Sequence, residues 1–319
     1  MASLSFFKLA LLTPLLLLLL ASSTSSVAQL VRLQPERGCQ SQCGDVKVDY
    51  PFGIGKGCGR SEHFRLLCKR NDRGRFKPFI RGNKLYDLEL SSISVPEGLA
   101  RIKNPVSWLC YNRTDWYVSV DYAGADLTQT PFWVSNTQNM FIVIGSNVFA
   151  YISLNGTKSG YTAGCVAQKL SKESMVKSSC SGIGCCEVTI PIRSKTYFMS
   201  IDESFSNFSS SNSICGYAVL TEVDRFRFST SYLTTPGSFE KDIVNLSVVL
   251  DWTIGNEKCE LAQRNITSYG CVSSHSTCVD YYGLGYRCSC LHGYGGNPYI
   301  HRGCQRIKDI QRSVPVPFN

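Results

Sequence analysis

The chain has 319 residues, 43% hydrophobic and 18% charged, with 16 cysteines and a formal net charge of +9. That length excludes a single small disulfide knot and implies two or three modules. The charge alone would suit nucleic acid, but the export signals described next exclude such a partner.

Lys8 precedes an apolar run from Leu9 to Ala21, and Ser/Thr-rich sequence then leads to Ser26-Val27-Ala28. This reads as a secretory signal peptide over 1–28, cleaved after Ala28. The run is too short for a membrane span, which needs about 20 apolar residues. No later stretch offers 18 consecutive apolar residues, so the mature chain is expected to be soluble, secreted and extracellular. Losing Lys8 lowers the net charge from +9 to +8. All 16 cysteines lie between Cys39 and Cys304, and an even number in an exported chain points to disulfides rather than metal or redox chemistry. Five N-glycosylation triplets, at Asn112, Asn155, Asn207, Asn245 and Asn265, agree with export.

Next comes Asp49–Gly59, DYPFGIGKGCG, which has the look of a phosphate loop. It fails as one, because Gly57 stands where a Walker loop needs Ser or Thr after Lys56. It fails as a dinucleotide fingerprint too, with Cys58 at the third glycine. Tyr50 and Phe52, flanking Pro51, are read as packed core. Between Arg60 and Lys84 stand nine basic residues (Arg60, Arg65, Lys69, Arg70, Arg73, Arg75, Lys77, Arg81 and Lys84) against Glu62 and Asp72, a net of +7.

Strands are expected at Val46–Tyr50, Trp116–Tyr122, Phe141–Gly145, Glu187–Ile192, Tyr217–Val223 and Leu246–Trp252. These are short β-branched and aromatic runs separated by Gly, Asn, Ser and Pro. No 3.6-residue periodicity is sustained, so the fold should be mainly β. Ser204–Ser213 reads as a loop, and the turn-rich Ser229–Ser238 as a boundary between modules. Adjacent Cys185 and Cys186 are expected to bridge to two different partners, since a CxxC spacing is absent.

The last six cysteines, Cys259, Cys271, Cys278, Cys288, Cys290 and Cys304, occupy 46 residues, with GYGGNPY before the sixth. This resembles an EGF-like module, and the resemblance implies pairs Cys259–Cys278, Cys271–Cys288 and Cys290–Cys304. Upstream, SGIGCCEVTIPI (Ser181–Ile192), VVLDWTIGNEKC (Val248–Cys259) and CGDVKVDYPFGIGKGCG followed by FRLLC resemble the extracellular part of plant wall-associated receptor kinases. The resemblance covers nearly the whole mature chain. It implies a mainly β, disulfide-rich fold: a galacturonan-binding cysteine-rich domain over 29–115, a β-rich middle region over 116–255, an EGF-like module over 256–304 and a flexible tail over 305–319. Full receptors continue into a membrane helix and a kinase; here Lys308-Asp309-Ile310 begins like a second, calcium-type repeat and departs at Gln311.

On this resemblance the basic residues from Arg60 to Lys84 are the expected contacts for homogalacturonan or oligogalacturonides, which carry one carboxylate per sugar. Arg forks pair bidentately with carboxylates and Lys acts as a point charge. The plain alternative is a solvated cationic loop. The competing function is a protein-interaction module or co-receptor, binding a peptide or a membrane-bound receptor kinase through the EGF-like and β-rich regions. No cofactor is expected. Calcium at the EGF-like module is only half supported, since Lys258 separates Glu257 from Cys259, although Asp280 follows Cys278 suitably. Neither a Gly-x-Ser-x-Gly elbow nor His-Glu-x-x-His occurs, so no enzyme is expected.

Overall fold

The computed structural model describes residues 38–81, 87–112, 117–155, 160–168, 180–204, 215–282 and 284–308, with only the backbone for 111–112 and 117–120. The expected leader, Lys84, Asn207 and the tail beyond Lys308 lie outside these residues.

The first elements are β1 (Gln42–Cys43), β2 (Val46–Lys47), β3 (Gly53–Ile54), β4 (Arg65–Arg70), β5 (Phe76–Ile80), β6 (Leu88–Ser94) and β7 (Leu99–Lys103). β1 and β2 form a small hairpin, β3 joins β4 in parallel, and β4 to β7 run antiparallel. Cys39–Cys58 and Cys43–Cys68 staple this start. The glycine-rich stretch is a packed turn. A methyl group on Gly53 would come within 2.1 Å of the Cys58 carbonyl carbon, so the two limbs touch and leave no space for a phosphate. Tyr50 and Phe52 on either side of Pro51 are buried.

The middle of the chain supplies β8 (Val106–Asn112), β9 (Tyr117–Asp121), β10 (Ala123–Asp126), β11 (Phe132–Val134), β12 (Asn139–Ile144), β13 (Val148–Asn155) and β14 (Gly160–Ala167). It continues with β15 (Cys185–Thr189), β16 (Thr196–Ile201), β17 (Cys215–Glu222) and β18 (Ser247–Trp252). Three sheets result, with orders β11-β18-β7-β6-β5-β4-β3, β15-β12-β17-β8-β9 and β10-β16-β13-β14. The seven-stranded sheet thus draws strands from both the 29–115 and the 116–255 segments. β13 alternates buried and partly exposed positions, as expected of a strand with one face on the core. β12 and β18 are buried almost throughout, because both of their faces are covered.

One core gathers Val143, Ile152, Met199, Leu220, Ile102 and Trp252 from all three sheets. A second lies on the other face of the five-stranded sheet, where Ile142, Ile144 and Val219 meet Phe228, Leu233 and Phe239. The latter residues belong to or adjoin two short helices, α1 (Ser231–Thr234) and α2 (Ser238–Asp242). The stretch read as a boundary at 229–238 is therefore a lid over the sheet, and its turn-forming residues serve helix ends. All 16 cysteines are bridged; Cys185 and Cys186 pair with Cys180 and Cys165, and Cys110–Cys215 links β8 to β17 across 105 residues. Closing a loop of that length restricts the unfolded chain by on the order of 4–5 kcal/mol.

The final segment carries α3 (Cys259–Ala262), β19 (Ser276–Asp280), β20 (Tyr286–Cys290), β21 (Tyr294–Gly296) and β22 (Cys304–Arg306), in two small hairpins. Its bridges are Cys259–Cys278, Cys271–Cys288 and Cys290–Cys304. All described residues belong to one unit, Val31–Asn319, and this segment is docked on the rest. Buried Tyr299 lies 5.5 Å from the Trp252 ring, and Asn297 Nδ2 donates to the Tyr50 carbonyl at 2.5 Å. Arg193 pairs with buried Asp251 at 2.8 Å while lying over the rings of Tyr281 and Tyr282. Arg287 donates to the Gly98 carbonyl at 2.9 Å, and Gly98 has φ +69 and no room for a side chain beside that guanidinium.

Trp252 is fully buried and touches Phe52, Phe64 and Tyr299. Trp252→Ala should cost about 3–5 kcal/mol. Denaturant titration of the oxidised chain is expected to show a single transition at a lower midpoint, with intrinsic fluorescence and circular dichroism falling together.

Candidate functional site

The hairpin β4–β5 carries most of the expected basic residues, and its tip is built by Asn71. The Asn71 N–H donates to the Arg75 carbonyl at 2.9 Å, its Oδ1 accepts the N–H groups of Arg73 and Arg75 at 3.1 Å each, and its Nδ2 donates to Glu89 at 3.0 Å. Such self-bonding is why Asn favours turns. Gly74, at φ +72, supplies the left-handed residue. The result is a fixed tip presenting two exposed guanidinium groups.

Alternation then decides which side chains share a face. Lys69 and Lys77 lie opposite one another, as do Phe79 and Glu89 on the next pair of strands. On β7, Arg101 and Lys103 are two residues apart, with Lys103 opposite Ser247 of β18. Of these positions Lys77, Glu89, Arg101, Lys103 and Ser247 border a groove of about 300 Å3 lined by six cations, Arg73, Arg75, Lys77, Arg101, Lys103 and Arg225, against two carboxylates, Glu89 and Glu222. Three of the six lie outside the Arg60–Lys84 run.

The cations are not equivalent. Arg101 forks onto Glu222 at 2.7 and 3.0 Å, a bidentate pair that raises the arginine pKa and draws the Glu222 carboxyl below its ordinary value. Lys77 donates to Asp45 at 2.5 Å and lowers that carboxyl. Lys103 stands 3.6 Å from Asp72, an exposed contact of little energy. Among the described residues neither the Arg73 nor the Arg75 guanidinium makes a hydrogen bond or close ion pair, although the Arg75 charge helps lower the Asp45 carboxyl. Arg73, Arg75 and Lys103 are therefore the cations best placed to meet an anion from solution.

The other expected contacts are spread elsewhere. Arg60 is 3% exposed, with its guanidinium donating to the Ser268 carbonyl of the six-cysteine segment, so it is withdrawn from the surface and serves as a tether. Arg65 pairs with Glu62 at 3.1 Å. Lys69 pairs with Asp87 at 2.7 Å and lies over the Phe79 ring. Arg70 covers the exposed Phe76 ring and donates to the Gly74 carbonyl at 2.6 Å. Arg81 is exposed. A second hollow of about 550 Å3, bordered by Ile54, Leu66, Leu67 and Phe76, is apolar apart from Arg65 and Gln40 and offers no comparable charge.

Among the described residues no group of three or more His, Cys, Asp or Glu stands together to hold a metal ion, and Asp280 accepts the Cys259 N–H at 2.6 Å. Asn155, Asn245 and Asn265 are exposed. No helix among the described residues is long and apolar enough to cross a membrane.

Residues 39–104, which carry the hairpin and both groove cations of β7, match the family described as wall-associated receptor kinase galacturonan-binding. Wall-associated receptor kinase 2 of Arabidopsis thaliana is 32% identical over 287 residues, 88% of this chain and 36% of that protein. Wall-associated receptor kinase 5 of the same plant is 34% identical over 304 residues, 90% of this chain and 37% of that protein. This chain is homologous to the wall-associated receptor kinases. The homology spans a little over a third of the length of these curated relatives. No solved structure matches. For this wall-associated-kinase homologue the matched segment holds the β1–β2 hairpin and strands β3 to β7 of the seven-stranded sheet, and Arg225 reaches its groove from beyond it.

Glu222 is more acidic in the fold than in the unfolded chain, so its pair with Arg101 contributes fully above the ordinary carboxylate value of 4.5 and is lost as pH falls through the lowered folded value. Denaturant midpoints measured from pH 7 to pH 3 should therefore fall less steeply for Glu222→Gln than for the unaltered chain.

Proposed function

We propose that this chain is an extracellular polysaccharide-binding protein that takes homogalacturonan or oligogalacturonides in the groove between β5, β6, β7 and β18. The observation that carries the reading is the groove's excess of six cations over two carboxylates, inside and beside the segment matched to the galacturonan-binding family. A polyuronate places one carboxylate per sugar along a line, and a row of fixed cations meets several at once. Arg73 and Arg75 offer bidentate forks and Lys103 a point charge. The chain would reach the cell wall as a secreted, glycosylated, disulfide-bonded protein, and a membrane-bound receptor kinase is a second class of partner.

A protein-partner reading is favoured by Leu261, Ile266, Val279 and Tyr282, exposed apolar side chains of the EGF-like segment. Salt separates the two. Charge-driven binding weakens as the Debye length shrinks from about 8 Å at 0.15 M to about 3 Å at 1 M, whereas an apolar interface keeps its strength.

The test is binding of the oxidised chain to de-esterified polygalacturonate at low and high salt, beside Arg73→Ala/Arg75→Ala/Lys103→Ala. The expected result is salt-sensitive binding that drops about 10- to 100-fold in the triple variant, as three exposed ion pairs of up to about 1 kcal/mol each would give. Binding that ignores both salt and the substitutions would overturn the groove as the site.

A further inference from the structure

We propose that a glycan on Asn245 gates the cationic groove. The identity of the excluded polymer rests on the polyuronate reading above; the steric effect on the groove does not.

Asn245-Leu246-Ser247 is an acceptor triplet, and its placement is unlike that of the other exposed triplets. Asn245 ends the 3-10 turn Ile243–Asn245, is exposed, and lines the groove together with Val244 and Ser247. Leu246 is 7% exposed and packs into the second core, which fixes the backbone at this point. Ser247 then opens β18 directly opposite Lys103. A sugar on Asn245 thus grows from a rigid wall of the groove, two residues from the residue that faces one of its open cations. Val244, 47% exposed beside it, gives the first sugar an apolar footing.

The groove's volume of about 300 Å3 sits at the small end of ligand cavities, roughly 300–1,000 Å3, so it has room for one occupant and not for a glycan and a polymer together. The modification itself balances simply. Asn245 Nδ2 forms a bond to C1 of an oligosaccharide supplied by a lipid-linked glycosyl pyrophosphate. The C1–O bond to the pyrophosphate breaks, the carrier pyrophosphate leaves, and the amide gives up one proton. No groove charge changes, so the glycan acts by excluded volume, and the glycosylated and bare forms of the chain differ in access rather than in field.

The experiment uses the full chain expressed through a secretory route, with occupancy of Asn245 read by mass spectrometry. Labelling of Lys103 by a bulky amine-reactive reagent is then compared between the glycosylated chain, Asn245→Gln, and native protein trimmed to a single sugar by an endoglycosidase, which involves no substitution. Exposed Lys56 is the internal reference. Lys103 labelling should rise several-fold relative to Lys56 in the variant and in the trimmed protein, and affinity for polygalacturonate should rise about tenfold, or about 1.4 kcal/mol. An unoccupied Asn245, or equal Lys103 labelling in all three samples, overturns the gate. Increased labelling with no polygalacturonate binding in any sample upholds the gate and overturns the polyuronate reading instead.

Discussion

Three distant parts of the chain meet on the Trp252 side chain. Phe52 lies against it edge-on at 5.0 Å from the start of the chain, Tyr299 approaches at 5.5 Å from the six-cysteine segment, and β18 itself runs between β11 and β7. Aromatic rings bring large buried areas and preferred edge and offset contacts. Among the described residues this aromatic contact is the one place where the glycine-rich turn, the seven-stranded sheet and the final segment all touch a single side chain, and the β3–β4 pairing and the polar links from Asn297, Arg60 and Arg287 reinforce it pairwise. The groove depends on the same contact, because Ser247, opposite Lys103, lies on the strand that Trp252 anchors.

The polar links at this seam follow a consistent logic. Arg193 and Asp251 are both largely buried, and such a pair contributes little over an apolar substitute yet is costly to break by halves. The guanidinium also rests on Tyr281 and Tyr282, so one side chain ties β18 to the last segment. Arg60 shows the same economy. An arginine that by composition belongs to a cationic run spends its hydrogen bond on Ser268, 208 residues away.

Much of the fold was legible in local chemistry. The β-branched and aromatic runs at 141–145, 217–223 and 246–252 are strands, and the mainly β, disulfide-rich class follows from them. The β13–β14 hairpin lies outside the expected strands although it carries the same signals, with alternating residues from Val148 to Leu154 between Gly145-Ser146-Asn147 and Asn155-Gly156. The groove was half legible. Arg73 and Arg75 stand out as a charge run, whereas Arg101 and Lys103 are separated by a hydrophobic residue in LARIK, and only strand alternation reveals that both face one way. Arg225 and the burial of Arg60 depend on contacts far apart in sequence, and no local pattern encodes those. The same holds for Cys110–Cys215, whose partners become neighbours only through β8 and β17.

The pairing of β18 with β7 also has a consequence in time. Val248 faces Ile102, so the strand that completes the sheet is made 146 residues after the edge it covers (248 minus 102). At about 5–20 residues per second of synthesis, the β7 edge that faces away from β6 waits about 7–30 s for its partner strand. An open edge invites pairing with the wrong chain, and charged side chains on the strand are the usual protection. Arg101 and Lys103 occupy that strand. The residues that line the finished groove thus also guard a nascent edge, so replacing both with uncharged residues would alter how the chain is made before it altered what the chain holds.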